Sequence, residues 1–103
     1  MYIVNTSFMV EPSVHDRWLD FIKKQYIPAL AARDFGRVVF TRLLSASAED
    51  HFTYSLQVEL DDMDRYRQFS EELFPEYTAI ATGLFNDKVL WFNSLLKRVD
   101  DGE

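Results

Sequence analysis

Residues 52–60 read FTYSLQVEL, and they alternate without a break: Phe52, Tyr54, Leu56, Val58 and Leu60 are apolar, while Thr53, Ser55, Gln57 and Glu59 are polar. A period of two belongs to a β-strand, whose successive side chains point to opposite sides. Such a strand has one apolar face and one polar face, so the sheet that holds it is expected to be covered on one side only.

The rest of the chain organises around this strand. Residues 2–10, short, β-branched and aromatic, read as another strand, with Val4, Thr6, Phe8 and Val10 on one face and Ile3, Asn5, Ser7 and Met9 on the other. Ser13, followed three residues later by Asp16, reads as a helix N-cap. From Val14 the period becomes helical: Val14, Trp18, Leu19, Phe21 and Ile22 form an apolar arc that also takes in His15 and Tyr26. Pro28 is expected to end or kink that helix. Gly36 supplies a turn into a second strand over residues 37–45, mostly apolar, with Arg42 as its odd member, and SASAEDH (45–51) reads as a hairpin loop. Asp61, Asp62 and Asp64 sit where a helix dipole favours acids, and Tyr66, Phe69, Leu73, Tyr77, Ile80 and Leu84 keep helical spacing beyond them, across a kink at Pro75. A turn over 83–87 leads to a final strand, 88–99, and an acidic tail, DDGE.

The order is βαββαβ. With 103 residues and 12.2 kDa the chain is read as a single domain, 1–103. Two βαβ-like halves predict an α+β, ferredoxin-like sandwich: one four-stranded antiparallel sheet with both helices on one face. The uncovered face is expected to carry Ile3, Asn5, Ser7, Met9, Thr53, Ser55, Gln57 and Glu59, joined by Val89, Trp91, Asn93 and Leu95 of the last strand. Ile3, Met9 and Trp91 are too apolar for a solvated surface, so a second copy is expected to cover it, making a homodimeric α+β barrel.

Composition removes several function classes. Seventeen acidic against eleven basic residues give a net charge of −6, which disfavours nucleic acid as a partner. No cysteine is present, which removes disulfides, thiolate nucleophiles and Cys-ligated metals. No stretch reaches the roughly 20 apolar residues of a membrane span, so the reading is a cytoplasmic protein without membrane partner. Phosphate-loop, dinucleotide and nucleophile-elbow motifs are absent; the acids of 61–64 belong to a helix start rather than a metal site, and no cofactor is expected.

His15-Asp16-x-Trp18-Leu19-x-Phe21, followed by Tyr26-Ile27-Pro28, resembles the signature of an uncharacterised bacterial domain-of-unknown-function family, short cytoplasmic proteins of the dimeric α+β barrel kind. Asn5, Gly36, Tyr54-Ser55-Leu56-Gln57 and Phe85-Asn86-Asp87-Lys88 extend the resemblance along almost the whole chain. The chain departs from the pattern at Asn86, where Gly is expected, and at Tyr26, where His is common. The wider superfamily includes cofactor-free monooxygenases, haem enzymes and ligand-sensing domains, so the resemblance implies a fold without choosing a chemistry.

The candidate residues fall into three sets. His15 is a candidate general acid or base, since histidine is the side chain suited to proton transfer near neutral pH, and its alternative role is packing with Leu19 and Tyr26 in the first helical turn. Arg42 would hold a carboxylate or phosphate if it faced the barrel interior, or pair with Glu59 or with the partner subunit. Asn5, Ser7, Ser55, Gln57 and Asn93 offer donors and acceptors, with Trp91 and Met9 as an apolar wall, for a small molecule between sheets. The reading is a non-catalytic homodimeric barrel that binds a small molecule or protein partner at the inter-sheet face. The competing reading is a cofactor-free enzyme of the monooxygenase or isomerase type that uses the barrel as its pocket, and a third is a purely structural dimer.

Overall fold

The structure is a computed structural model, and it describes residues 1–45 and 50–99. The centre of the expected SASAEDH loop and the DDGE tail lie outside the described residues. Four strands, β1 (Tyr2–Val10), β2 (Val38–Arg42), β3 (Phe52–Leu60) and β4 (Val89–Lys97), form one antiparallel sheet in the order β2-β3-β1-β4. Two helical stretches lie between β1 and β2 and between β3 and β4. Their buried residues, among them Trp18, Ile22, Leu30, Phe69 and Leu73, merge with Val4, Phe8, Leu56 and Val58 of the sheet into one core. Each such aliphatic side chain contributes about 1.5–3 kcal/mol on burial. No helix among the described residues is long and apolar enough to cross a membrane.

Alternation places β1 and β3 as their sequences predict: Val4, Thr6, Phe8 and Val10, and Tyr54, Leu56, Val58 and Leu60, are buried under the helices, while the intervening residues are half-buried on the other face.

Both helical stretches share a construction that 3.6-residue spacing does not predict. The first runs α1 (His15–Phe21), a π-turn (Ile22–Tyr26) and α2 (Ile27–Ala32); the second runs α3 (Met63–Gln68), a π-turn (Phe69–Leu73) and α4 (Phe74–Phe85). In each, the residue before proline donates five residues back: Ile27 N–H to Ile22 O, and Phe74 N–H to Phe69 O. Pro28 and Pro75 lack an N–H, and in a plain α-helix their rings would strike the carbonyls of Lys24 and Glu71. The wider π-turn relieves that contact, so the prolines reshape each helix without ending it.

The extra residue also shifts the buried stripe. Phe69, Leu73 and Phe85 are buried, and Tyr77 and Ala81 pack against the core, one every four residues. Ile80 and Leu84, expected in the stripe, are 40% and 49% exposed.

Three local expectations are corrected. Ser13 caps no helix: Pro12 opens a 3-10 turn over Pro12–Val14 that feeds straight into α1, and neither Glu11 nor Val14 at the two N-caps contributes a side-chain bond. Asp34, with φ 58°, makes the left-handed turn before β2. Gly36 serves close approach instead: its N–H donates to Glu59 O at 3.1 Å, and a Cβ there would lie 2.6 Å from that same oxygen. The turn expected over 83–87 begins later, since α4 continues through Phe85, and Asn86 stops it with φ 56° and ψ −133°. That conformation favours glycine, which accounts for the glycine expected there. At the start of α3 the acids behave as predicted, and Asp62 caps by accepting from Arg65 N–H at 2.9 Å.

Candidate functional site: the open face of the sheet

The open face is assembled by register. Gln57 of β3 lies between Val39 of β2 and Asn5 of β1, and Asn5 faces Ser94 of β4. One row along, Ser55 lies between Thr41 and Ser7, and Ser7 faces Phe92. Beyond these rows come Thr53, Met9 and Leu90 at one end, and Glu59, Ile3 and Leu96 at the other.

The expected polar residues Asn5, Ser7, Ser55 and Gln57 therefore do converge on the middle of this face, and all are half-buried. Ser55 Oγ donates to Asn5 Oδ1 at 2.5 Å, and Asn5 Nδ2 donates to Ser7 Oγ at 3.4 Å, a chain across the two central strands. Glu59 is the ionisable side chain among the residues of these rows, so the middle of the face offers neutral donors and acceptors. It suits hydroxyl, amide or carbonyl groups rather than fixed charges. At the Met9–Leu90 end the face runs into a concavity of about 450 Å³ bordered by Glu11, Asp50, His51, Asp87 and Lys88.

Trp91 and Asn93 do not belong to this face. β4 pairs Val89 with Val10, Trp91 with Phe8, Asn93 with Thr6 and Leu95 with Val4, so all four point toward the helices. Trp91 meets Phe74 edge to face at 6.3 Å, and Asn93 Oδ1 accepts from the fully buried Thr6 hydroxyl at 2.5 Å. The reason lies in the sequence VLWFNSLL, apolar at positions of both parities, which leaves no alternation to choose a face. The residues missed are Leu90, Phe92, Ser94 and Leu96; Leu90, Phe92 and Leu96 are 54%, 56% and 42% exposed. The signal that marks them is the lack of alternation itself: a strand apolar on both sides needs cover on both.

Arg42 is likewise on the helix side. It is registered with Tyr54, and its guanidinium lies 4.6 Å from the centroid of Phe52, while Glu59 sits on the opposite face and cannot pair with it. A one-residue shift of register changes the face of every side chain in a strand, and β2, five residues that open on the unbroken apolar run Val38-Val39-Phe40, is too short to specify it.

His15 also lies beneath the sheet, away from Asn5 and Ser55. Its Nε2 is 2.7 Å from the Tyr54 hydroxyl, its Nδ1 is 3.2 Å from Asp16 Oδ1, and its ring packs at a tilt of 30° against Phe52, with centroids 4.0 Å apart. Tyr54 in turn contacts Trp18 at 5.1 Å and Phe40 at 5.3 Å. The partners differ from the expected Leu19 and Tyr26, yet the role is a packing one: both ring nitrogens are engaged, and the first turn of α1 is fastened to β3. Among the described residues, no group of three His, Asp or Glu side chains is placed to hold a metal ion.

A family model described as "Domain of unknown function (DUF4286)" matches residues 1–99. No curated protein matches the chain. Among solved structures it is similar to a dimeric ferredoxin-like protein from an uncultured marine organism, with TM-score 0.75 and 11% identity over 97% of this chain and 96% of that one. It is similar to a second dimeric ferredoxin-like protein, also from an uncultured marine organism, with TM-score 0.66 and 16% identity over 98% and 97% of the two chains. At these identities the likeness establishes the ferredoxin-like fold.

Proposed function

The chain belongs to the DUF4286 family of domains of unknown function, and from that premise and its divided sheet face we propose that it acts as a non-catalytic homodimer. A second copy covers the open face, and the neutral polar rows around Asn5, Ser7, Ser55 and Gln57 line a small-molecule site between the two sheets. The observation that carries this reading is the apolar strip of Leu90, Phe92 and Leu96, each at least two-fifths exposed and continuous with Ile3 and Met9. Apolar patches of this kind mark interfaces, and the two solved relatives are both described as dimeric. The cytoplasmic, bacterial setting suggested by the sequence is part of the same proposal.

Catalysis finds less support. His15 is on the covered side with both nitrogens engaged, so it does not meet the polar rows. Phe92→Lys tests the proposal by placing a charge in the middle of the apolar strip. Light scattering at micromolar concentration is expected to give a dimer for the native chain and a folded monomer for the variant, a loss of at least about 2 kcal/mol of association free energy. A native chain that is monomeric under these conditions would overturn the proposal.

A further inference from the structure

The open face differs at its two ends. Backbone pairing continues past both: Glu59 N–H donates to Arg37 O at 2.9 Å, just before β2, and Glu11 N–H donates to Lys88 O at 3.0 Å, just beyond β1. Alternation from Val39 puts Arg37 on the open face, and alternation from Met9 and Leu90 puts Glu11 and Lys88 there. Arg37 is exposed and forms no ion pair among the described residues. Its end of the face balances Arg37 and Arg98 against Glu59 and against Asp61, which follows β3. The other end is the concavity of about 450 Å³, where Glu11, Asp50 and Asp87 outnumber Lys88 around Met9 and Leu90. His51 stands beside Asp50 there, at 2.9 Å.

A two-fold axis that brings two such faces together lies in the plane between them, and its direction decides what meets. Directed along the strands, it sets like ends together. The carboxylates of two concavities then oppose one another, and the apolar strip of β4 falls on the half-polar edge of β2. Directed across the strands, it sets opposite ends together and lays β4 on β4. Leu96 and Ile3 of one copy then cover Leu90 and Met9 of the other, and the axis crosses the rows of Asn5 and Ser7. Sheets crossed at right angles leave the ends of each beyond the edges of the other, without charge contact.

Resting on the reading that a second copy covers this face, we propose that the strands of the two copies run in opposite directions, with Arg37 of each reaching the acidic concavity of the other. Arg37 lies on the β2 side, so it arrives beside the partner's Asp50, while Arg98 on the β4 side arrives beside the partner's Asp87. A guanidinium suits that place, since its planar donors match carboxylates. Both ends of the interface are then closed by charge pairs, and the neutral rows of Asn5, Ser7, Ser55 and Gln57 become its enclosed middle. The concavity is thus a part of the interface and not the ligand pocket.

A charge swap tests the orientation, read as the dimer dissociation constant by sedimentation equilibrium in about 50 mM salt, where exposed charges are weakly screened. Arg37→Glu and Asp50→Lys are each expected to weaken the dimer roughly tenfold, because symmetry repeats every contact. The chain carrying both is expected to return to within about threefold of the native value. Asp50→Lys makes the chain less negative, so its weaker dimer would not come from general repulsion. Both positions are exposed, so the variants keep the fold. Arg37→Gln and Asp50→Asn repeat the test without introducing charge, with expected losses of about threefold. Unchanged constants in the single variants would overturn the proposal in favour of crossed sheets, and tighter dimers would overturn it in favour of like ends. A double variant as weak as the single ones would overturn it as well. A monomeric native chain would instead remove the covered face itself, and this inference with it.

Discussion

β3 and β4 pair with the same strand, β1, along the same residues, Tyr2 to Val10, yet they treat its two sides differently. β3 is interior and alternates, so its helix side is buried and its open side is polar. β4 is an edge strand and apolar on both sides, with Val89 buried below and Leu90, Phe92 and Leu96 exposed above. Alternation thus records a strand that has finished burying its apolar surface within the chain. Its absence on β4 records a second apolar surface that the chain alone leaves uncovered.

The largest expected effect separates the covered leucines from the open ones. Leu56 is fully buried, and Leu56→Ala is expected to lower unfolding free energy by about 2–5 kcal/mol through lost transfer energy and the cavity left behind. Leu96 is 42% exposed, and Leu96→Ala is expected to shift the unfolding of the monomer by about 0.5 kcal/mol or less, with any larger loss growing as protein concentration rises. Urea titrations at two protein concentrations measure both. A Leu96→Ala loss as large as that of Leu56→Ala, and independent of concentration, would mean that β4 has no unfilled face.

A second, smaller effect probes the covered layer through pH. Tyr26 ionises near 10 when unfolded and well above that when folded, so the unfolded state binds fewer protons once pH passes about 10. Stability is therefore fully present below that point and falls as pH rises beyond it, by up to about 1.4 kcal/mol per pH unit from this group. Between pH 10 and 11 the native chain is expected to lose stability faster than Tyr26→Phe, as read by urea unfolding at each pH. Parallel losses in the two proteins would show that Tyr26 is not protected in the helix layer.

Most of the fold was legible because most elements carry one unambiguous period. The strict alternation of β3, and Asn5 and Ser7 at one parity of β1, marked the faces of these strands, and Asp62 and the helical spacing located the second helical stretch. The faces of β2 and β4 were not legible, since Val38-Val39-Phe40 and Val89-Leu90-Trp91-Phe92 satisfy either parity, and only pairing with β3 and β1 decides between them. The same ambiguity moved Arg42, Trp91 and Asn93 out of the expected site while leaving Asn5, Ser7, Ser55 and Gln57 together. Ile80 and Leu84 were misplaced for another reason: a proline that a helix absorbs by widening a turn shifts the phase of everything after it. Pro28 and Pro75 were visible, but whether each breaks its helix or widens it depends on the packing of the sheet beneath.

The smallest effect sharpens the comparison across the two central rows of the open face. Ser55 on β3 and Ser94 on β4 both flank the central β1 residues, and both are half-buried serines. Ser55 donates to Asn5 Oδ1 at 2.5 Å, so Ser55→Ala removes a bond and leaves a half-buried acceptor, an expected loss of about 0.5–1.5 kcal/mol. Ser94 stands on the side of β1 where Leu90, Phe92 and Leu96 dominate, and Ser94→Ala is expected to stay within about 0.5 kcal/mol of the native chain. Because the two substitutions delete the same hydroxyl, their difference isolates what the β3 half of the face does with its polar groups. Equal losses would mean that the Ser55–Asn5 bond contributes nothing beyond solvent contact, and the polar rows would then be a wet surface rather than a prearranged one. A larger loss for Ser55→Ala would leave Asn5 oriented by the protein itself, with Nδ2 held toward Ser7, as a site for a neutral ligand requires.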